Sequence, residues 1–308
     1  MRDANGLGRC GLNGRRRARV PDIPVKRDAV LRDNSSDNAS AREIAHDNFF
    51  IRDKMKKIFK EKIMLQPHIR LDESVNVKYA LLPGDPARLD RIEPHLENVR
   101  ELAYNREFRS IAGTYKGVGV LAMSTGIGGS SASIAVEELS RIGVKAMIRI
   151  GSCGAMQKGI RLGDLIIVSA AVRDDGASQA YVDARYPAVA DFDLLTACVQ
   201  SAKEGGYAHH VGLAHSHESF YIDDNEEQKQ FWAKKGVLGA DMETAAVFVV
   251  GRLRGVRAAS ILNNVVESGA DSASGVSDYA GGESKTASGE RNEILTALNA
   301  FVRLDKGL

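Results

Sequence analysis

One apolar stretch, residues 144–156 (VKAMIRIGSCGAM), constrains the fold more than any other part of the chain. Its apolar, partly β-branched residues end abruptly at Gly-Ser-Cys-Gly, which is typical of a buried strand followed by a tight turn. A strand that is apolar along most of its length usually belongs to the core of a parallel sheet. The stretch therefore predicts a central strand of an α/β sheet.

Arg149 lies inside this apolar run, where a charged side chain is rare unless an acidic group or an anionic ligand faces it. Ligands of open α/β sheets bind at the carboxyl ends of the strands, which is where this prediction puts Arg149 and Ser152. Two interpretations stay open at this point: the arginine belongs to an anion site, or it pairs with an acidic neighbour.

The composition of the chain excludes several classes of protein. With 308 residues, 44% hydrophobic residues and a net charge of +2, the sequence suits one large α/β domain with an appendage, and it gives no case for binding nucleic acid or a membrane surface. The cysteines (Cys10, Cys153 and Cys198) have no paired spacing, so we expect neither a zinc site nor disulfides, and we expect a reducing, cytoplasmic setting. No apolar run approaches the ~18 residues of a membrane-spanning helix.

Residues 1–62 differ in composition from the rest. They are rich in Arg, Gly and small polar residues and carry little to bury, which predicts a disordered basic and polar extension before a folded domain of residues 63–308. Apolar residues near the end of this extension have helical spacing beside many lysines. They indicate either a solvated flank or an amphipathic helix that contacts an acidic surface. A third alternative is that translation starts at Met64.

Strands and helices alternate after residue 64. The apolar patterns predict strands over residues 78–82, 118–123, 164–171, 211–215 and 258–266, in addition to the central strand. They predict helices over residues 134–141, 240–253 and 286–304. This alternation predicts a three-layer α/β/α fold with a central mixed, mostly parallel twisted sheet.

Two loops of this predicted fold have the composition of ligand-binding turns. The first, PGDPAR at residues 83–88, follows a strand directly and ends with an arginine. The second, STGIGGSSAS at residues 124–133, precedes a helix, whose N-terminus favours anions. This second loop matches neither the Walker spacing nor the dinucleotide fingerprint, which excludes a dehydrogenase built on that fingerprint.

Seven short motifs occur in order between residue 64 and the C-terminus: PGDPAR (83–88), NREFRS (105–110), STGIGG (124–129), RIGSCG (149–154), GDLIIVSAAVRDDGAS (163–178), PAVADFD (187–193) and ADMETAAV (240–247). In this combination the chain resembles the nucleoside phosphorylase family of uridine and hexameric purine nucleoside phosphorylases. The resemblance implies the nucleoside phosphorylase fold and the phosphorolysis of a (deoxy)ribonucleoside to free base and (deoxy)ribose 1-phosphate in nucleoside salvage. It also implies inorganic phosphate as co-substrate, no cofactor or metal, and a homo-oligomer, a hexamer built as a trimer of dimers, with shared active sites.

The resemblance assigns a phosphate site to Gly84, Arg88, Arg149 and Ser152, and it assigns Arg106 to the phosphate site of the neighbouring subunit. Guanidinium groups match phosphate oxygens in a bidentate manner, and a glycine lets the backbone approach closely. The alternative for Arg88 and Arg106 is an ordinary surface ion pair.

The ribose site implied by the resemblance comprises Met242, Glu243 and His68, with the histidine reaching the 5′-hydroxyl across a subunit interface. The carboxylate of Glu243 can accept hydrogen bonds from both ribose hydroxyls and favours positive charge on the ring, and the thioether of Met242 can pack on the sugar. Glu243 and Arg149 are accordingly implied as catalytic residues. Without the resemblance, Glu243 is interpreted as a helix cap or as a charge that favours the helix dipole, and His68 as a solvated surface residue.

The base site is implied at Cys153, Gly154 and Phe220, where the sequence departs from both subfamilies. Uridine phosphorylases carry Gln-x-Arg shortly after Phe-Tyr, whereas Phe220 and the tyrosine after it are followed by Ile-Asp-Asp-Asn-Glu. Purine enzymes of the hexameric type place an Asp after the last core strand, where this chain offers Glu267 as a catalytic general acid. Uridine and purine nucleosides therefore both stay open as substrates.

Two other functions occur on the same fold. A hydrolase that splits methylthioadenosine or adenosylhomocysteine with water needs no cluster of phosphate-binding arginines, so Arg88, Arg106 and Arg149 disfavour it. A non-catalytic nucleoside-binding relative is expected to have lost Glu243 or these arginines. All four residues are present in this chain.

Overall fold

The computed structural model describes residues 65–282 and 284–307, so the interpretations of residues 1–62 and of a start at Met64 lie outside the described residues. The strands are β1 (Tyr79–Pro83), β2 (Glu97–Asn105), β3 (Phe108–Tyr115), β4 (Val118–Met123), β5 (Ala146–Ala155), β6 (Leu165–Asp174), β7 (Ala188–Val189), β8 (His209–His217), β9 (Gly239–Asp241) and β10 (Arg257–Val266). The helices are α1 (Leu89–Ile92), α2 (Gly129–Arg141), α3 (Gly176–Tyr181), α4 (Phe192–Glu204), α5 (Asn225–Ala233), α6 (Thr244–Leu253), α7 (Ser272–Ala280) and α8 (Ser284–Asp305). Short 3₁₀ turns lie at Glu73–Val75, Pro86–Arg88 and Glu93–His95.

The strands of the described residues belong to one mixed sheet. Its centre is parallel, because β5 lies between β1 and β10 and pairs in parallel with both, and β1 pairs in parallel with β4. The antiparallel strands β3 and β2 follow β4 at one side. The predicted mixed sheet with β5 at its centre is thereby confirmed.

The other side of the sheet closes on itself. β10 pairs antiparallel with β6, β6 pairs in parallel with β8, and β8 pairs in parallel with β9. The short strand β9 then pairs antiparallel with the end of β5. Strands β5, β10, β6, β8 and β9 thus form a closed ring, from which β1, β4, β3 and β2 extend. No sequence pattern indicates this closure, since it depends on pairings between distant segments.

Helices cover both faces of the sheet, in the three layers that the sequence predicts. In β1, Ala80 and Leu82 pack in one hydrophobic core with residues of α2 and α6, whereas Tyr79 and Leu81 pack in a second core with residues of α4 and α8. This division follows from the alternation of side chains between the two faces of a strand. A strand that is covered on both faces must be apolar throughout, and burial of that surface holds the layers together.

One predicted helix begins too early. The sequence pattern indicates a helix over residues 240–253, but the structure has β9 (Gly239–Asp241) followed by α6 (Thr244–Leu253). The backbone of β9 takes part in two ladders, to β5 and to β8, and so it cannot be helical. The helix starts where the Oδ2 atom of Asp241 accepts a hydrogen bond from Thr244 N at 2.9 Å.

Some elements have no counterpart in the sequence prediction, among them the β2–β3 hairpin and helices α4, α5 and α7. Strand β2 is mostly exposed or half-buried and α5 has no buried residue, so neither shows the apolar periodicity that the prediction used. None of the described helices combines the length and the apolar character that a bilayer crossing needs.

Candidate active site

The carboxyl ends of the parallel strands β1, β4, β5 and β10 lie at one edge of the sheet, where a cavity of about 970 Å³ opens. This is the edge at which parallel sheets bind ligands. The predicted site residues that line it are Gly84, Arg88, Arg149, Ser152, Cys153, Gly154, Phe220, Met242, Glu243 and Glu267. Two predicted residues, His68 and Arg106, are described by the structure but do not belong to this wall.

The two predicted ligand-binding loops are joined to each other by backbone hydrogen bonds. Thr125 N donates to Pro83 O and Gly126 N donates to Gly84 O, both at 2.9 Å. A Cβ atom at Gly84 would lie 3.2 Å from the carbonyl oxygen of Gly126, which is tighter than an ordinary contact. The glycine therefore permits the close approach of the loops that follow β1 and β4.

Arg149 is buried in the cavity wall, with 4% of its surface exposed. Its Nε donates to Asp241 Oδ2 at 2.9 Å, and its Nη2 contacts the carboxylate of Glu243. The guanidinium lies over Gly151, where a Cβ atom would come within 2.5 Å of Nη2. Of the two interpretations left open by the sequence, the pairing with acidic neighbours is observed. Arg149 also faces the cavity, and its role in an anion site stays a prediction.

Asp241 fixes the position of Arg149 and was not singled out by sequence reasoning. Its Oδ1 accepts from the Ser216 hydroxyl at 2.6 Å, and its Oδ2 accepts from the Thr244 hydroxyl as well as from Arg149. Burial by itself would raise the pKa of Asp241, but Arg149 and the two hydroxyls outweigh burial and hold that pKa below its ordinary value. The sequence feature that could have identified Asp241 is its position two residues before the predicted Glu243.

Glu243 occupies the N-cap position of α6, yet its side chain makes no capping hydrogen bond. The interpretation as a helix cap is therefore wrong. The carboxylate instead accepts from Gly128 N at 2.5 Å and contacts Arg149, so it joins the loop after β4 to the cavity wall. Burial raises the pKa of Glu243, against the effect of Arg149 and with that of Asp241.

Arg88 is buried and is held by the C-terminal helices. Its Nη1 donates to Ile150 O at 3.1 Å, its Nη2 donates to the Tyr279 hydroxyl at 2.6 Å, and its Nε lies 3.1 Å from Glu290 Oε2. Glu290 also contacts Arg91 and the Tyr279 hydroxyl. Because only 4% of Arg88 is exposed, its interpretation as a surface ion pair is wrong.

Glu293 is a second carboxylate behind Arg88, and no sequence signal marked it. Its Oε1 accepts from Gly151 N at 2.6 Å, and its Oε2 lies 3.9 Å from Arg88 Nη1. The side chain is fully buried, and burial raises its pKa to about 8 although the neighbouring Arg88 opposes the shift.

His68 and Arg106 lie outside the cavity of their own chain. The His68 ring is hydrogen-bonded through Nδ1 to Glu138 Oε1 at 2.6 Å, and Glu138 also accepts from the backbone N of His68 at 3.0 Å. Asn105 Nδ2 donates to His68 O at 2.7 Å, which ties the segment to the β2–β3 hairpin. Arg106 is exposed in the turn of that hairpin with a φ of 54°. Both residues are thus presented on one part of the surface.

Among the described residues, no group of three or more His, Cys, Asp and Glu side chains is arranged to hold a metal ion. Cys153 and Cys198 are both buried as free thiols. Burial raises the pKa of each thiol, and for Cys153 the charge of Asp241 adds to this effect.

These features define an α/β protein whose sheet edge can hold an anion beside a buried carboxylate. Residues 78–297 match the family model described as the Phosphorylase superfamily, and the chain belongs to that superfamily. The resemblance that the seven motifs indicated is thereby confirmed.

The chain is similar to named phosphorylases along most of their length. It is 39% identical over 196 residues to the guanosine phosphorylase of Halorubrum lacusprofundi, a match that covers 64% of this chain and 81% of that protein. It is 39% identical over 209 residues to the uridine phosphorylase of Thermococcus kodakarensis, covering 64% and 76%. The crystal structure of uridine phosphorylase from Vibrio fischeri ES114 superimposes with a TM-score of 0.73 at 45% identity, covering 79% of this chain and 99% of that one.

Proposed function

We propose that this protein catalyses the phosphorolysis of the N-glycosidic bond of a (deoxy)ribonucleoside, which gives free base and (deoxy)ribose 1-phosphate in nucleoside salvage. The observation that carries the proposal is the contact between buried Arg149 and buried Glu243 in the wall of one cavity. It puts an anion-binding group next to a carboxylate that favours a cationic sugar. Membership of the superfamily and similarity to uridine and guanosine phosphorylases support the same activity.

In this proposal, Gly84, Arg88, Arg149 and Ser152 bind inorganic phosphate, which is a co-substrate. The two guanidinium groups can each offer paired donors to phosphate oxygens, and the glycine brings backbone close to the anion. Both arginines are held by protein carboxylates before phosphate arrives, so their side chains need little reorganisation. No cofactor has a role in the reaction.

Glu243 and Met242 bind the ribose. As the bond to the base breaks, positive charge develops on the sugar ring, and a carboxylate fixed by Gly128 N and Arg149 stabilises that charge more than it stabilises the ground state. Phosphate attacks C1′, and the base leaves with the bonding electrons. Glu243 therefore lowers the barrier at the sugar, while Arg149 acts on the attacking phosphate.

The base lies against Cys153, Gly154 and Phe220, and Glu267 is the proposed general acid. In the sheet, Val266 is paired with Gly154, so Glu267 follows directly at the base end of β5. A proton from a carboxyl group can assist a departing base when that carboxyl is held beside it. Uridine and a purine nucleoside are both candidate substrates. The segments DGAS and PAVADF favour uridine, whereas the missing Gln-x-Arg after Phe220 disfavours uracil and the short connection from Phe220 to Met242 favours a purine.

We further propose that the active sites are shared between subunits of a homo-oligomer, a hexamer built as a trimer of dimers, in the cytoplasm. Within one chain, Arg88 and Arg149 already face Glu290, Asp241 and Glu243. A phosphate dianion in the same cavity then needs further positive charge. Exposed Arg106 can supply it, and His68 can supply a 5′-hydroxyl contact, only to the cavity of another subunit.

The test of the reaction is an assay of uridine, thymidine, inosine, guanosine and adenosine, each with and without inorganic phosphate. We expect base release to depend on phosphate and to produce one equivalent of pentose 1-phosphate per base, because the arginines serve to bind the attacking anion. A hydrolase would release free pentose at equal rates in phosphate-free buffer, and this result would replace the phosphorylase by the hydrolase alternative.

A further inference from the structure

Two charged side chains that have no role in the proposed reaction line the cavity, and one of them contacts Ser272, five residues after Glu267. β5 runs from Arg149 toward Gly154, and an extended strand advances about 3.3 Å per residue, so Gly154 lies on the order of 16 Å along the strand from the arginine. Phe220 lies in the segment between β8, which ends at His217, and α5, which begins at Asn225. Glu226 and Lys229 of α5 line the same cavity.

These two side chains form an ion pair that is tied to a second helix. Glu226 and Lys229 are three residues apart on α5, and Lys229 Nζ lies 2.7 Å from Glu226 Oε1. The same Nζ donates to the Ser272 hydroxyl at 2.7 Å, at the first residue of α7. The lysine side chain is only 26% exposed, whereas the glutamate is 66% exposed and open to a ligand that enters the cavity. We name Glu226 and Lys229 the α5 pair.

The α5 pair presents a cationic donor beside an anionic acceptor, and this pattern matches one class of base. The edge of guanine offers an acceptor at O6, a donor at N1 and a donor at the 2-amino group. An ammonium group can donate to O6 while the two oxygens of one carboxylate accept from N1–H and from the 2-amino group. Hypoxanthine keeps the first two of these contacts and lacks the third.

The same pattern is unfavourable for the other common bases. Uracil presents N3–H between two carbonyl oxygens, so a carboxylate that accepts from N3–H must place its second oxygen against a carbonyl oxygen. Adenine has an amino group in place of O6 and a lone pair at N1, so it reverses both contacts. A polar group of a binding site that a ligand covers and leaves opposite the wrong partner discriminates between substrates.

We propose that Glu226 and Lys229 are the residues that select the base, and that they make a 6-oxopurine with a 2-amino group, guanosine, the preferred nucleoside. This inference rests on the proposed phosphorylase function and names its substrate class. Lys229 selects the 6-oxo group, and Glu226 selects N1–H together with the 2-amino group. Glu267, at the end of the neighbouring strand β10, retains its role at the leaving base.

The first test measures kcat/KM of the full-length protein for guanosine, inosine, adenosine and uridine at saturating phosphate. We expect guanosine to exceed inosine by about tenfold, the scale of one hydrogen bond to a charged group. Uridine and adenosine should be lower than guanosine by about a hundredfold or more. A wild-type protein that prefers uridine in a phosphate-dependent reaction would overturn the inference and leave the phosphorylase function standing.

Variants of the α5 pair separate its two roles. Glu226→Gln should reduce the guanosine preference over inosine to below about threefold, because only the carboxylate accepts from the 2-amino group. Lys229→Met should lower guanosine and inosine turnover alike, since both bases carry the 6-oxo group. Ser272→Ala, which removes the link between the helices and leaves both charges, should keep the preference. The matched control is Glu227→Gln, a neighbouring exposed carboxylate outside the cavity wall.

If a variant loses turnover, its affinity for guanosine can still be measured in the absence of phosphate. Titration calorimetry of guanosine in phosphate-free buffer should show weaker binding to Glu226→Gln than to the wild type and to Glu227→Gln. Equal guanosine affinities for all three proteins would refute the role of Glu226. If no nucleoside is cleaved in the presence of phosphate, the proposed reaction fails, and the calorimetric comparison still decides whether the α5 pair recognises the base.

Discussion

Gly151 shows how a residue without a functional group can set the geometry of a site. Its missing side chain leaves room for the Arg149 guanidinium, and its backbone N donates to Glu293. One residue therefore lies between the cavity arginine and the buried carboxylate behind it. Any side chain at this position must displace the arginine, because the backbone of β5 is paired with β10 at Gly151 and with both β1 and β10 at Ile150.

Gly151→Ala should impair phosphate use while leaving the fold intact. The new Cβ would lie 2.5 Å from Arg149 Nη2, and a shift of about 1 Å in a positioning group can cost about a hundredfold in rate. We expect KM for phosphate to rise at least about tenfold, measured by steady-state kinetics. The control is Gly119→Ala on β4, where the nearest atom would be 3.9 Å away. Equal kinetics for both variants would contradict this account of Gly151.

The sequence could predict residues of the site that carry their own signal, and it could not predict their partners. Arg149 stands out because a charge within an apolar strand needs an explanation, and Glu243 stands out within its motif. Glu293 lies 144 positions after Arg149 in the numbering of the chain and looks like any glutamate of a C-terminal helix. Its role depends on α8 packing against β5, which is a tertiary contact that no local pattern encodes.

At the scale of elements, helix α8 places two carboxylates next to Arg88 in the cavity wall. Glu290 and Glu293 are one turn apart on the buried face of this helix, and both approach Arg88. The same face contributes Ile294, Leu298 and Phe301 to the hydrophobic core. The apolar spacing predicted the helix over residues 286–304, and the structure extends it to Ser284–Asp305. The apolar pattern does not predict that Glu290 and Glu293 lie on the buried face, because it takes account of apolar residues alone.

Glu293 should make the stability of the protein depend on pH. Its pKa is about 8 in the folded protein against an ordinary 4.5, so the folded state keeps a proton that the unfolded chain loses. The stabilisation is complete below pH 4.5 and is lost as pH rises through about 8. Glu293→Gln mimics the protonated acid and does not titrate. The thermal midpoint of the variant minus that of the wild type should therefore increase when the pH is raised from about 5 to about 9.

The comparison requires a control for general effects of removing a carboxylate. Glu227→Gln changes an exposed glutamate of α5 and should follow the wild-type stability curve at every pH. All three proteins are compared at one protein concentration, because assembly contributes to apparent stability. Parallel curves for Glu293→Gln and the wild type would show that Glu293 is ionised at neutral pH in the folded protein.

Elements were predicted well where one local pattern dominates, and poorly where pairing decides. Strand β4 (Val118–Met123) has the predicted limits, and β5 lies within the predicted stretch, because both are apolar runs. In contrast, Ala240 and Asp241 of β9 were assigned to a helix, since the apolar residues after them have helical spacing. The ladders of β9 to β5 and β8 come from distant parts of the chain and override the local pattern.

At the scale of the whole molecule, His68 and Arg106 lie outside their own cavity, which is the ground for the proposed active site built from two chains. Co-expression of Arg106→Gln with Glu243→Gln tests this arrangement. In a mixed pair of subunits, the cavity with intact Glu243 receives Arg106 from its partner, so random mixing should restore roughly a quarter of the wild-type activity. Activity is measured on mixed oligomers purified through two different tags.

Arg88→Gln with Glu243→Gln is the matched control for complementation. Arg88 and Glu243 line the same cavity, so no mixed pair contains a complete site and no activity should return. Recovery of activity in this control would indicate that activity returns by a route other than a site shared between two chains, such as reversion of a mutation. Mixed oligomers of Arg106→Gln and Glu243→Gln that stay as inactive as either parent would remove Arg106 from the neighbouring site.

The closed ring of strands also determines at what stage of translation the sheet can form all of its strand pairs. β5 gains its partner β1 early, but its second edge waits for β10, which is translated more than 100 residues later. Until then this buried strand has a free edge, and such edges pair readily with other chains. Arg149 and residues 151–154 of β5 line the cavity, so the nascent polypeptide completes this cavity wall only after β10 has been translated.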